Sequence, residues 1–309
     1  MLPPSAQHSI DPTAILAALG IAPARSITPV HGGTDTAIWR VEHPSMTSAL
    51  RVFRPEQAAT QQREIAAMEL ARQAHVPVPT VHAAGVWHER PVLLLSWCPG
   101  VPLWQAVRRR PWRVLSLGLA FGRIQAQIHQ IRSAAPRQQR PDWIDWAGSE
   151  EHRLHAALEH LAQPVPALLH LDYHPLNVLT DGRQITAVLD WANTRVGDPR
   201  ADVARTYTIL MVEPYMPGRQ PLAVSLMRRI LAWSWRRGYE QIGGKWSDMA
   251  WFYVWAGAVM VRDLAPRVSN PQSWWQPRHL AQIQAWTTTW RQRAEQSVYG
   301  GTGPQAPAQ

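Results

Sequence analysis

The feature that most constrains how this 309-residue chain can fold is a change of rhythm at Cys98-Pro99-Gly100. Before it, short runs rich in β-branched and apolar residues predict strands over 26–30, 36–41, 49–53, 81–84 and 91–97. A short helix over 10–19, capped by Ser9 or Asp11, precedes them, and a longer helix over 57–73, closed by Pro77 and Pro79, interrupts them. The run 91–97 is continuously apolar, as expected of a strand covered on both faces. Beyond Gly100, apolar residues recur at every third and fourth position over 115–131, 151–161 and 221–235, which is the period of helices. Within that half, short apolar pieces at 165–174, 177–179 and 185–189 are broken by Asp181-Gly182, the signature of a small hairpin. The expected architecture is α+β. A small antiparallel-sheet N-lobe with one main helix occupies 1–98, a larger mostly α-helical C-lobe occupies 99–298, and 299–309 form a glycine- and proline-containing flexible tail.

Composition narrows the functional classes. One cysteine, Cys98, can make neither an internal disulfide nor a cysteine-based zinc cluster. The N-terminus lacks the basic start and apolar stretch of a signal peptide, and no segment is apolar for long enough to span a bilayer. A cytoplasmic protein without a membrane partner is expected. The net charge of +9 would suit a polyanion, but the arginines are scattered, with Arg108-Arg109-Arg110 and Arg236-Arg237 as the only tight runs. No nucleic-acid-binding signature accompanies them, so no nucleic-acid partner is expected. The oligomeric state is left open.

The chemistry is concentrated in His170-Leu-Asp172-Tyr-His-Pro-Leu-Asn177 and, beyond the hairpin, Leu189-Asp190-Trp191. An acid, an amide five residues on and a second acid thirteen after that are what phosphoryl transfer asks for. One group orients the attacking hydroxyl, and two hard oxygen donors hold Mg2+ on the phosphates. Asp172 is then the catalytic base, with Asn177 and Asp190 as metal ligands.

These residues resemble the aminoglycoside phosphotransferase family and its choline kinase and homoserine kinase relatives, which are distantly similar to protein kinases. His170-x-Asp172-x-x-x-x-Asn177 looks like the family's catalytic loop and Leu189-Asp190-Trp191 like its metal-binding segment. Gly197-Asp198-Pro199-x-x-x-Asp202 looks like the segment whose second acid braces that loop, which implies bracing roles for Asp202 and His170. The loop Val30-His31-Gly32-Gly33-Thr34-Asp35-Thr36 resembles the family's glycine-containing loop, implying that Gly32, Gly33 and Thr34 approach the phosphates. Trp97 falls where the lobes of such a fold hinge and where adenine would meet the backbone. The resemblance implies a bilobal protein-kinase-like fold and Mg2+-dependent transfer from ATP or GTP to a hydroxyl of a small acceptor.

The sequence departs from the family at its third strand. Where a lysine commonly contacts the α- and β-phosphates, this chain has Leu50-Arg51-Val52, and its single lysine is Lys245. Arg51 must take that role, with Glu64 as its partner, and an arginine fork is bulkier and aimed differently from an ammonium. A catalytically weak nucleotide-binding relative is therefore the alternative reading. For the acceptor, Trp191, Asn193, Tyr207, Glu213, Trp251, Trp255 and Asp263 are candidate linings, although tryptophans at helical spacing are more often core. The shortage of acids gives no sign of a surface for a polycationic acceptor.

Overall fold

The computed structural model describes residues 10–30, 36–132, 141–161, 165–212, 221–270, 273 and 275–299. Two compact units emerge, one from residues 1–109 and 175–194, the other from 110–174 and 195–309.

The first unit opens with helix α1 (Pro12–Ala18), whose N-cap Asp11 accepts a hydrogen bond from the Thr13 amide. Strands β1 (Ser26–Pro29), β2 (Ala37–Glu42) and β3 (Thr47–Val52) follow, then helix α2 (Ala58–Gln73), then β4 (Val81–Trp87) and β5 (Arg90–Ser96). They form one antiparallel sheet in the order β1-β2-β3-β5-β4. Residues alternate across β2 and β3, so Ala37, Trp39, Val41, Leu50 and Val52 join Ile15 and Leu16 of α1 in one core while Arg51 takes the opposite side of its strand. The apolar run of β5 is buried from Val92 to Leu95, on both faces. Helix α2 is tied to the sheet by a polar link, Gln61 Nε2 donating to the Val92 carbonyl at 2.7 Å.

Strand β6 (Val101–Pro102) and helix α3 (Leu103–Arg109) end the first pass through this unit. A hairpin returns to complete it: β8 (Val178–Thr180) pairs with β6 and with β9 (Ile185–Val188). Its turn is built by Asp181, whose Oδ1 accepts from the amides of Arg183 and Gln184, and by Gly182 at φ 93°. The Val188 amide donates to the Pro77 carbonyl and Thr186 Oγ1 to the Pro99 carbonyl, anchoring the hairpin.

The second unit is helical around a two-stranded ribbon of β7 (Ala167–Leu169) and β10 (Arg195–Gly197). Its helices are α4 (Val114–Gln130), α5 (His152–His160), α6 (Pro199–Val212), α7 (Leu222–Gly243), α8 (Ala250–Val268) and α9 (Pro277–Tyr299). α4 and α7 approach backbone to backbone: a Cβ on Gly122 would collide with the Trp235 carbonyl, and one on Gly238 with the carbonyl of Leu119. α8 is buried on every side from Trp251 to Met260, with Trp255 Nε1 donating to the Trp143 carbonyl. Among the described residues no helix is long and apolar enough to cross a membrane.

Candidate active site

In the first unit Arg51 organises the polar cluster. Its Nη1 lies 2.6 Å from Glu64 Oε1, its Nε donates to Thr36 Oγ1 at 3.0 Å, and its Nη2 lies 3.3 Å from Asp190 Oδ1. The guanidinium also sits over the Phe53 ring, 4.8 Å from its centroid. Glu64, projecting from α2, is 1% exposed. Burial pushes its carboxyl upward, and the opposing Arg51 charge offsets only part of that rise. One planar fork serves three acceptors here, which a single ammonium cannot do in the same geometry.

Asp190 follows β9 with φ 61°, and its side chain is 45% exposed. A non-glycine residue in the left-handed region carries a conformational cost of about 1–3 kcal/mol, a cost met elsewhere in the structure. Asn177 precedes β8, and its carbonyl accepts from the Leu189 amide at 2.8 Å, so the amide and the acid flank the same end of one hairpin. Among the described residues no three His, Cys, Asp or Glu side chains gather into a metal cluster. Two hard oxygen donors suit Mg2+, which takes one or two protein oxygens and fills its remaining positions with phosphate and water.

Trp97 donates its amide to the Thr47 carbonyl at 3.0 Å, and Arg40 lies over its 37%-exposed ring. Gly32, Gly33 and Thr34 lie outside the described residues. The strands flanking them pair, with Val30 donating to the Ile38 carbonyl.

In the second unit the loop after β7 carries His170 and Asp172. Beneath it, fully buried on the first turn of α6, Asp202 accepts from the His170 amide through Oδ2 at 3.2 Å and from the Leu171 amide through Oδ1 at 2.7 Å. Two successive amides directed at one carboxylate force the chain to turn, and Leu171 adopts φ 59°. Asp202 Oδ2 also lies 2.9 Å from His129 Nε2, and His129 Nδ1 lies 2.7 Å from the Tyr239 hydroxyl. Burial would raise the Asp202 pKa, but the hydrogen bond and charge of His129 hold it below the usual carboxylate range.

Asp172 is 23% exposed; its amide donates to His170 Nδ1, and His174 Nε2 lies 3.6 Å from its Oδ1. Burial again opposes ionisation, yet His174, Arg205 and His170 keep the carboxyl well below its ordinary value. Arg205 is anchored to Asp263 at 2.6 Å, and its neighbour Thr206 donates to the Tyr173 carbonyl at 2.9 Å.

The site residues read from sequence thus fall into two groups, Arg51, Glu64, Asn177 and Asp190 in the first unit and His170, Asp172 and Asp202 in the second. Thr36, His129 and Arg205 were not among them. His129 had a signal, being a polar residue four after Gln125 and eight after Phe121 on an apolar helix face. Of the candidate acceptor linings, Trp191 and Trp255 are fully buried, and the Trp191 indole donates to the Val188 carbonyl. Asn193 is exposed, Tyr207 is half-buried, and Glu213 lies outside the described residues.

A family profile described as the phosphotransferase enzyme family matches residues 26–240. The chain belongs to that family. Among individual relatives, this phosphotransferase-family chain is 36% identical over 118 residues to hygromycin-B 4-O-kinase of Escherichia coli, a stretch spanning 34% of the chain and 34% of that enzyme's length. Its fold is the kinase-like one of the aminoglycoside phosphotransferases, with an antiparallel-sheet N-lobe and a mostly helical C-lobe. A Ralstonia eutropha protein provisionally assigned as an aminoglycoside phosphotransferase superimposes with a TM-score of 0.62 at 18% identity, over 92% of this chain and 94% of its own. A thermostable mutant of aminoglycoside phosphotransferase APH(4)-Ia, in ternary complex with AMP-PNP and hygromycin B, gives 0.57 at 16% identity over 94% and 98%.

Proposed function

We propose that this chain transfers the γ-phosphoryl group of ATP, or GTP, to a hydroxyl group of a small molecule. The observation that carries the reading is the convergence of Arg51, Glu64 and Asp190 beside the hairpin that also carries Asn177. Arg51, held by Glu64, binds the nucleotide phosphates, and Trp97 lies beside the base. Gly32, Gly33 and Thr34 are assigned to the phosphates on the sequence resemblance alone. Asn177 and Asp190 would hold Mg2+, which would neutralise charge on the phosphates. Asp172, kept ionised by its neighbours, orients the acceptor hydroxyl and takes its proton, while Asp202 and His170 fix the loop that carries it. Because the transition state is loose, positioning and electrostatics supply most of the acceleration. AMP-PNP in the ternary complex of a fold relative supports a nucleotide co-substrate.

The test is nucleotide consumption with Mg2+ over a panel of hydroxylated acceptors, comparing wild type with Asp172→Asn and Asp190→Ala. Acceptor-dependent turnover lost in both variants supports the reading; absence of nucleotide binding refutes it. The arginine in place of the usual lysine favours a second reading, a catalytically weak nucleotide-binding regulator. Tight Mg2+-dependent binding without turnover on any acceptor would be its mark.

A further inference from the structure

We propose that the outward side of helix α7, together with the head of α4, is a docking surface for an anionic lipid bilayer, a function separate from phosphoryl transfer. A helix on a protein surface ordinarily turns polar residues to solvent. α7 does not. Its inner side is closed by Leu231, Ala232, Trp235 and Tyr239, whereas Leu222, Leu226 and Trp233 are exposed, Leu222 at 90%. Their spacings of four and seven residues put them in one row along the outside of the helix, about 17 Å long at 1.5 Å per residue. The neighbouring helix extends the row. Ser234 Oγ lies 3.4 Å from the Val114 carbonyl, which brings the head of α4, with exposed Leu115 and 74%-exposed Trp112, alongside the Trp233 end. Of the thirteen large apolar side chains exposed among the described residues, six lie on α7 or at the head of α4, a concentration that singly scattered surface residues do not produce.

The charge around this row is mostly of one sign. Arg229, Arg236 and Arg237 are exposed on the same side of α7, and Arg237 lies over the Trp233 ring, 5.7 Å from its centroid. Against these three arginines α7 has one acid, Glu240, which Arg236 and Arg237 approach at 2.9 and 3.5 Å. Arg110 and Arg113 flank Trp112, and residues 110–141 contain six arginines and no acid. An anionic bilayer answers both features at once: leucines and indoles enter the boundary between headgroups and acyl chains, and the arginines stay at the level of the phosphates. Two other occupants fit less well. A second copy docked through the same row would set Arg229, Arg236 and Arg237 against their own counterparts. A nucleic acid would answer the arginines and leave the leucines without apolar contact. The proposal departs from the expectation of no membrane partner, which rested on the lack of a long apolar segment, because docking at the surface requires none.

The experiment is co-sedimentation of the full-length protein with vesicles of equal parts phosphatidylglycerol and phosphatidylcholine, and with vesicles of phosphatidylcholine alone. The expected result is binding to the first and not to the second, weakening as salt is raised. The double variant Leu222→Ser, Leu226→Ser should weaken that binding by about tenfold or more, and Arg229→Gln with Arg237→Gln by about as much. Both pairs should leave thermal melting and nucleotide turnover unchanged, since these side chains face solvent and none belongs to the proposed active site. Failure to bind the anionic vesicles, or equal binding to both kinds, overturns the proposal. So does binding that is lost with the arginines and untouched by the serine pair, the mark of a general polyanion site. A dimer in vesicle-free solution that the serine pair dissociates overturns it as well, by giving the row to a second copy. The phosphotransferase reading stands or falls separately, on turnover measured without vesicles.

Discussion

Arg51 Nη1 meets Glu64 Oε1 at 2.6 Å, and because Glu64 is 1% exposed the arginine is the cation that offsets part of the burial that raises its carboxyl. Removing the cation from such a pair leaves an uncompensated charge, so Arg51→Ala should destabilise the fold by about 3 kcal/mol and raise the KM for nucleotide at least tenfold. Arg51→Lys keeps the charge but not the fork. It should retain most of the stability and lose roughly tenfold in kcat/KM, read by thermal melting and steady-state kinetics.

Asp172→Asn keeps the size of the side chain and removes its charge. The kcat should fall by about 10²–10⁴ with little change in nucleotide affinity, the pattern of a lost base. Since the native carboxyl is held below its usual range, kcat/KM should show no acid limb from Asp172 between pH 5 and 7, roughly the range well above an ordinary aspartate's pKa. A rate that falls through that window in the wild type and not in an Asp172 variant would contradict this.

Asp202 links the loop to pH in a different way, through stability. Its folded-state pKa is depressed, so as pH drops below an ordinary aspartate's value, about 3.9, the unfolded chain takes up a proton that the native state refuses. The stabilisation is complete above that value and is lost as pH falls through the depressed one. Asp202→Asn should therefore melt earlier at neutral pH, by roughly 2–3 kcal/mol, because an amide nitrogen would face backbone donors. It should also show a shallower loss of stability in acid. Equal acid slopes in melting curves of variant and wild type would refute the linkage.

Gly122→Ala and Gly238→Ala should each cost about 1–3 kcal/mol or more, since the added methyl falls on backbone of the facing helix, which cannot rotate away. Denaturant midpoints measure it. An alanine at Gly20, where the added Cβ meets no atom within 4 Å but the φ is 70°, is the control for backbone strain alone.

Much of this was legible in the sequence. The five strands of the sheet, the helix 58–73 and the Asp181-Gly182 hairpin follow from local period and turn chemistry, and the Arg51–Glu64 pair followed from asking what could replace a lysine. The segment 165–174 read as one extended piece, but only Ala167–Leu169 is strand, because Asp202 claims the next two amides. Helix Ala250–Val268 gave no 3.6-residue contrast because it is apolar and buried on all sides over most of its length. The His129–Asp202 contact spans 73 residues and has no local signature. Trp191, read as a possible lining, is core because its indole already has a backbone partner.

The first unit is closed by a hairpin that the chain supplies only after 65 intervening residues have gone into the second unit. A ribosome making this protein releases five strands of sheet and the α2 helix long before Asn177 and Asp190 exist. Until about residue 194 has emerged, β6 lacks its partner strand and Arg51 lacks one of its two carboxylates. A nascent chain arrested near residue 110 would thus present Arg51 with Glu64 but without Asp190. The order of synthesis itself keeps the candidate metal ligands apart from Arg51 until most of the protein has been made.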